Sequence, residues 1–261
     1  MSDKYIAVID SGMGGLTVVD ALRKMYPEEN ILFFADTKNL PYGDKTKQEI
    51  TALSSKTIEY LNKQLVQAIV IACNTIDSNA GKILQENSKI PLYRIIDPTS
   101  LQAAKITKNK KIAVLATSAA INSDAYKNTL LSIDKDLTIY QIACPKLVPL
   151  IESGHFDNDD KLIQDAVKEY LLPLLEKDID TLILGCTHYP LLTDIFKQLA
   201  PNVNLVSSSL QAAKAYYDDN NDNHNKEGKT ICYVSKDPIS FKQRADRFLK
   251  QDLNVKEITI D

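Results

Sequence analysis

One short pattern, used twice, constrains this chain more than any other feature. Residues 68–72 form an apolar run that ends at Cys73, and Asn74, Thr75 and a helical pattern follow. Residues 182–185 form a second run that ends at Cys186, followed by Thr187, His188 and then Pro190, a position where a helix can begin. Each run is too short for a helix and is bounded like a buried strand. Both therefore deliver a thiol to the C-terminal end of a strand. A lone cysteine in such a place is usually a small buried hydrophobe. Two in matching contexts, each followed by hydroxyl or amide side chains, point to a site.

The remaining sequence extends the same alternation. A strand at residues 5–9 ends in Asp10-Ser11-Gly12-Met13-Gly14-Gly15 before a helical pattern over 16–25. Such a turn offers backbone N–H groups to an anion, but its spacing is neither a dinucleotide fingerprint nor a P-loop. A strand at 30–35 leads to Asp36-Thr37 and to Leu40-Pro41-Tyr42-Gly43, a compact turn placed to close over a ligand. Helical patterns at 47–64 and 78–87 flank the Cys73 strand, and a strand at 92–96 precedes Asp97-Pro98, which breaks the pattern.

The cycle then restarts with a helix at 100–106, a strand at 111–116, the turn Thr117-Ser118-Ala119-Ala120 and a helix from 123. A strand at 137–143 runs into Cys144-Pro145 and a segment carrying Glu152 and His155; a helix at 159–177 with an internal Pro173 then feeds the Cys186 strand. The turns after Ile9, Ala35 and Ala72 correspond to those after Ala116, Ala143 and Gly185, an internal duplication. The fold class expected is α/β, with two similar parallel-sheet domains facing across a cleft and related by a pseudo-two-fold axis. Residues 1–97 with 208–261 are assigned to the first domain and 98–207 to the second. The tail, with a polar loop at 218–228, a strand at 230–234, a helix from 239 and a strand near 255, is expected to return to the edge of the first sheet.

Composition narrows the partners. With 31 basic against 34 acidic residues and a net charge of −3, the chain has no basic cluster to follow a phosphate backbone, so nucleic acid is not expected. No apolar run approaches the ~20 residues of a membrane helix, and no basic-then-apolar leader precedes residue 5, so a cytoplasmic location without membrane contact is expected. Four widely spaced cysteines and three histidines fit neither a zinc site nor a disulfide framework, and no metal or other cofactor is expected.

Two facing thiols suit one kind of chemistry. A substrate carbon held between them can lose its proton to one and regain a proton from the other on the opposite face, which inverts its configuration. A free thiol with a pKa of about 8.5 is mostly protonated at neutral pH, so each sulfur needs a neighbour to share its proton. Asp10 beside Cys73 and His188 beside Cys186 are the candidates, with Glu152 placed to orient His188. The four arginines lie away from the expected strand ends, which leaves Ser11, Asn74, Thr75, Thr117, Thr187 and backbone N–H groups to hold substrate carboxylates.

Five blocks, IAVIDSGMGGLTV, ADTKNLPYGD, IVIACNT, ACPKLVPLIESG and LILGCTHYPLL, resemble in order and separation the motif series of glutamate racemases, within the cofactor-independent aspartate/glutamate racemase family. The resemblance spans roughly residues 5–206. It implies a homodimeric enzyme that interconverts L- and D-glutamate and supplies D-glutamate to peptidoglycan. It also implies that Cys73 and Cys186 are the acid/base pair, and that Asp10, Ser11, Pro41, Tyr42, Gly43, Asn74, Thr75, Thr117, Thr187 and His188 surround the substrate. The family's G-T-x-x-T turn reads Ala116-Thr117-Ser118-Ala119-Ala120 here, without the second hydroxyl. The competing readings are a racemase of aspartate or a related amino acid and a two-lobed small-molecule binding protein. A thiol redox protein would carry closely spaced cysteines, and this chain does not.

Overall fold

The structure is a computed structural model and describes residues 4–219, 228–248 and 253–260. Its strands are β1 (Tyr5–Asp10), β2 (Ile31–Ala35), β3 (Val66–Ile71), β4 (Leu92–Tyr93), β5 (Lys111–Ala116), β6 (Thr138–Ala143), β7 (Thr181–Gly185), β8 (Asn204–Ser207), β9 (Thr230–Val234) and β10 (Asn254–Glu257). Between them run α1 (Leu16–Met25), α2 (Lys47–Leu61), α3 (Asn74–Asn87), α4 (Ile96–Ile106), α5 (Ser118–Asn122), α6 (Ala125–Ile133), α7 (Leu147–Glu152), α8 (Lys161–Leu175), α9 (Thr193–Leu199), α10 (Ser208–Asp219) and α11 (Pro238–Phe248).

The strands form two sheets, ordered β10-β9-β2-β1-β3-β4 and β6-β5-β7-β8. Every pairing among the described residues is parallel. Unbroken apolar runs dictate this arrangement: β2 and β7 are buried along their whole length, as strands covered by helices on both faces must be. The duplication is visible in topology, since β2-β1-β3-β4 and β6-β5-β7-β8 have the same order and direction. The tail adds β9 and β10 beside β2, the sheet edge expected for it. The polar loop read at residues 218–228 lies, for 220–227, outside the described residues.

A shared core joins the halves. Ile6, Val8 and Val70 of the first sheet, Ile112, Val114 and Ile183 of the second, and Ile96, Ala103, Ala212 and Ala213 of α4 and α10 belong to one buried cluster. Strand register then sets the site. Ile9 pairs with Ile71 and Ala116 with Gly185, so the residues that follow each pair leave their sheet at the same end.

Some boundaries differ from the sequence reading. Helix α3 begins at Asn74 rather than 78, because Cys73, in an extended conformation, occupies the N-cap and the chain turns at once. Asp97-Pro98 does not interrupt the pattern; Pro98 sits in the first turn of α4, where an N–H has no partner within the helix. The strand before it shrinks to Leu92–Tyr93. The helix expected from 123 is preceded by α5, with Asp124 left-handed (φ 53°) at the join.

The start of α4 is held by Asp77, whose carboxylate accepts from Ile95 N (3.1 Å), Ile96 N (2.8 Å) and Arg94 Nε (2.6 Å). Its side chain is fully buried. Asp77→Ala would strand these donors and is expected to cost about 3 kcal/mol of stability, read as a lower urea midpoint at unchanged slope.

Candidate active site

Loops from both sheets enclose a cavity of ≈ 250 Å³ at the carboxyl ends of the strands. All of the site residues read from the sequence line it: Asp10, Ser11, Pro41, Tyr42, Gly43, Cys73, Asn74, Thr75, Thr117, Glu152, Cys186, Thr187 and His188. Cys73 follows β3 and Cys186 follows β7, so each half of the fold contributes one thiol, and both are nearly buried.

The surroundings of the two sulfurs differ. Ser11 Oγ lies 3.4 Å from Cys73 Sγ and donates to Asp10 Oδ1 (3.2 Å), which also accepts from Gly12 N (3.1 Å). Burial and the nearby Asp10 carboxylate push the Cys73 thiol well above its ordinary value, against the pull of its hydrogen bonds. Burial likewise raises Asp10, with His188 and the donors from Gly12, Thr187 and Ser11 opposing it. At the other sulfur, His188 Nδ1 lies 3.8 Å from Cys186 Sγ and His188 Nε2 lies 3.1 Å from Glu152 Oε1. Burial alone would lower the imidazole, but Cys186 and Glu152 outweigh it and carry it up to about 10. Burial also works to raise the Glu152 carboxyl, yet His188 and Arg244 hold it below its usual value.

Polar contacts tie the walls together across the cleft. Thr187 Oγ1 donates to Asp10 Oδ2 (3.0 Å), Thr17 Oγ1 to Thr187 O (2.9 Å), and Ala119 N to Gly43 O (3.1 Å). Thr75 and Thr117 share a hydrogen bond between hydroxyls at 2.8 Å. Asn74 donates to Ser208 Oγ (3.1 Å) and accepts from the Tyr126 hydroxyl, which leaves one amide N–H for a ligand. The Tyr42 hydroxyl donates to Asp36 Oδ2 (2.7 Å), so this residue meets the cavity with other atoms.

Three features escaped the sequence reading. Arg244, expected away from the strand ends, has its Nη1 3.6 Å from Glu152 Oε2. Val148, Pro149 and Cys144 supply an apolar wall, signalled only by the run CPKLVPLIESG. Tyr126 and Ser208, which fix Asn74, come from distant helices without a local cue. Among the described residues, no group of His, Cys, Asp and Glu is arranged to hold a metal ion, and no helix is long and apolar enough to cross a membrane.

A family model described as Asp/Glu/Hydantoin racemase matches residues 15–215. A curated glutamate racemase from Sulfurihydrogenibium sp. is 48% identical over 206 residues, which cover 78% of each chain. Among solved structures, a glutamate racemase isoform from Bacillus anthracis superposes with a TM-score of 0.93 at 33% identity, covering 100% of this chain and 99% of that one. The glutamate racemase of Francisella tularensis, solved in complex with D-glutamate, gives a TM-score of 0.92 at 33% identity over 100% and 99% of the two chains.

Proposed function

Since the chain belongs to the Asp/Glu/hydantoin racemase family, a family of isomerases, we propose that it interconverts L- and D-glutamate by a two-thiol acid/base mechanism. The observation that carries the reading is the pair of thiols, Cys73 and Cys186, at equivalent strand ends of the two halves and lining one cavity. Cys186 abstracts the α-proton of L-glutamate, and Cys73 protonates the planar carbanion from the opposite face; the reverse direction exchanges their roles. One sulfur must start deprotonated and the other protonated. The unequal surroundings suit that division: His188, faced on its other nitrogen by Glu152, lies 3.8 Å from Cys186, whereas burial and Asp10 push the Cys73 thiol up.

The substrate carboxylates are held by the remaining Asn74 amide N–H, by one hydroxyl of the Thr75–Thr117 pair and by backbone N–H groups, with Ser11 and Thr187, whose hydroxyls donate to Asp10, lining the site and Pro41, Tyr42 and Gly43 closing the cavity. The product, D-glutamate, serves peptidoglycan synthesis, and the enzyme acts without cofactor as a cytoplasmic homodimer. Support for glutamate as the substrate comes from the relatives named for it and from the D-glutamate complex of the Francisella tularensis protein.

Chiral chromatography of L-glutamate, D-glutamate and both aspartates incubated with the purified protein tests the assignment. Both glutamates should converge on an equal mixture with no added cofactor. Faster turnover of aspartate would overturn the choice of substrate.

A further inference from the structure

Building on the two-thiol reading, we propose that Arg244 is a positioning residue for the Cys186 half of the reaction, reaching across from the first lobe to fix the carboxylate that aims His188 at the sulfur. Helix α11 packs on β9 and β10 of the first sheet, whereas Glu152 closes α7, which follows β6 of the second. The two oxygens of Glu152 are divided between two basic groups. Oε2 faces Arg244 Nη1 at 3.6 Å and Oε1 faces His188 Nε2 at 3.1 Å, while the other ring nitrogen faces Cys186. With one oxygen drawn toward the guanidinium by charge, the other is presented to the imidazole.

The location of Glu152 favours such a partner. A carboxylate at the C-terminal end of a helix meets the negative end of the backbone dipoles, where an anion is disfavoured and cations are favoured. One turn along α11 from Arg244, Arg247 lies against Gly154, just past the end of α7; a Cβ at that glycine would come within 2.9 Å of Arg247 Nη1. The helix therefore brings two guanidinium groups to this helix end. Arg244 is further held by its Nε donating to Ser240 O (3.4 Å). The side chain of Glu152 is 20% exposed, so without Arg244 it is free to rotate toward water and release the ring.

The effect should be one-sided. Glu152 faces His188 and Arg244, and His188 faces Cys186, Glu152 and the charge of Asp10; Cys73 is served by Ser11 and Asp10 instead. Racemisation cannot display this asymmetry, because an equilibrium constant of one forces kcat/KM to be equal in both directions. Elimination of HCl from the enantiomers of 3-chloroglutamate can, since the α-proton goes to a single thiolate, chloride leaves from the adjacent carbon and no reprotonation follows.

The test measures this elimination for Arg244→Gln and Arg244→Lys, with Cys73→Ser and Cys186→Ser in parallel. Arg244→Gln should lower kcat with the L-isomer about tenfold, as for loss of one charge-assisted contact, and leave the D-isomer within twofold. The D-isomer rate also reports that the variant is folded. Arg244→Lys should recover most of the L-isomer rate. Equal losses with both isomers, or no loss, would overturn the role of Arg244 even where the two cysteine variants divide the isomers. If those two variants fail to divide them, the two-thiol reading itself falls, and this inference with it.

Discussion

Cys73→Ser and Cys186→Ser are each expected to lower glutamate racemisation by ~10²–10⁴, the usual worth of a general acid or base. A serine hydroxyl is a far weaker acid than a thiol, and its conjugate base is not accessible near neutral pH. Each variant breaks a chain of proton transfers that needs both groups, so both directions of racemisation fall together. The variants separate only where one transfer suffices. Elimination from 3-chloroglutamate should survive with the L-isomer in Cys73→Ser and with the D-isomer in Cys186→Ser. Equal loss in all four combinations would show that the thiols do not divide the work by face.

Gly14→Ala is expected to lower kcat/KM by about 10², although the residue touches no substrate. Gly14 is buried in the turn between β1 and α1, and a Cβ there would stand 2.5 Å from His188 Nδ1 and 2.8 Å from Cε1, with Thr187 Oγ1 equally in the way. These are side-chain atoms of the opposite half, and both side chains are held in place, Thr187 by Asp10 and His188 by Glu152. The walls must separate or the imidazole must turn away from Cys186. A displacement of ~1 Å between reacting groups is enough for a loss of this size. Steady-state kinetics decide the matter, and a variant with wild-type kcat/KM would show that the walls do not need this close approach.

The alternation of apolar runs and helical patterns, and the repeat of strand, thiol and hydroxyl, made the two-sheet fold readable from sequence. Both depend on local spacing, which the chain displays directly. The elements that differ from the sequence pattern are those where local signals conflict with tertiary context. Cys73 is not a capping residue by type, so nothing in the sequence marked it as the N-cap of α3. Asp97-Pro98 reads as a break, yet the proline falls where a helix tolerates it, and the α4 N-terminus is satisfied by Asp77 from another helix. Arg244 illustrates the same limit within the site: it comes from the far end of the chain, and only the return of β9 and β10 to the first sheet brings α11 against α7.

A single labelling experiment bears most directly on the two-thiol account. L-glutamate is incubated with the purified protein in deuterated water, without any added cofactor, and stopped at low conversion; the enantiomers are then separated and the α-position of each is examined by mass spectrometry. Protonation by a second, solvent-exchanged thiol predicts deuterium in nearly all of the D-glutamate formed and an unlabelled α-position in the L-glutamate that remains. Product that keeps the original proton, or remaining L-glutamate that gains deuterium as fast as product forms, would mean that one group works on both faces and would contradict the account.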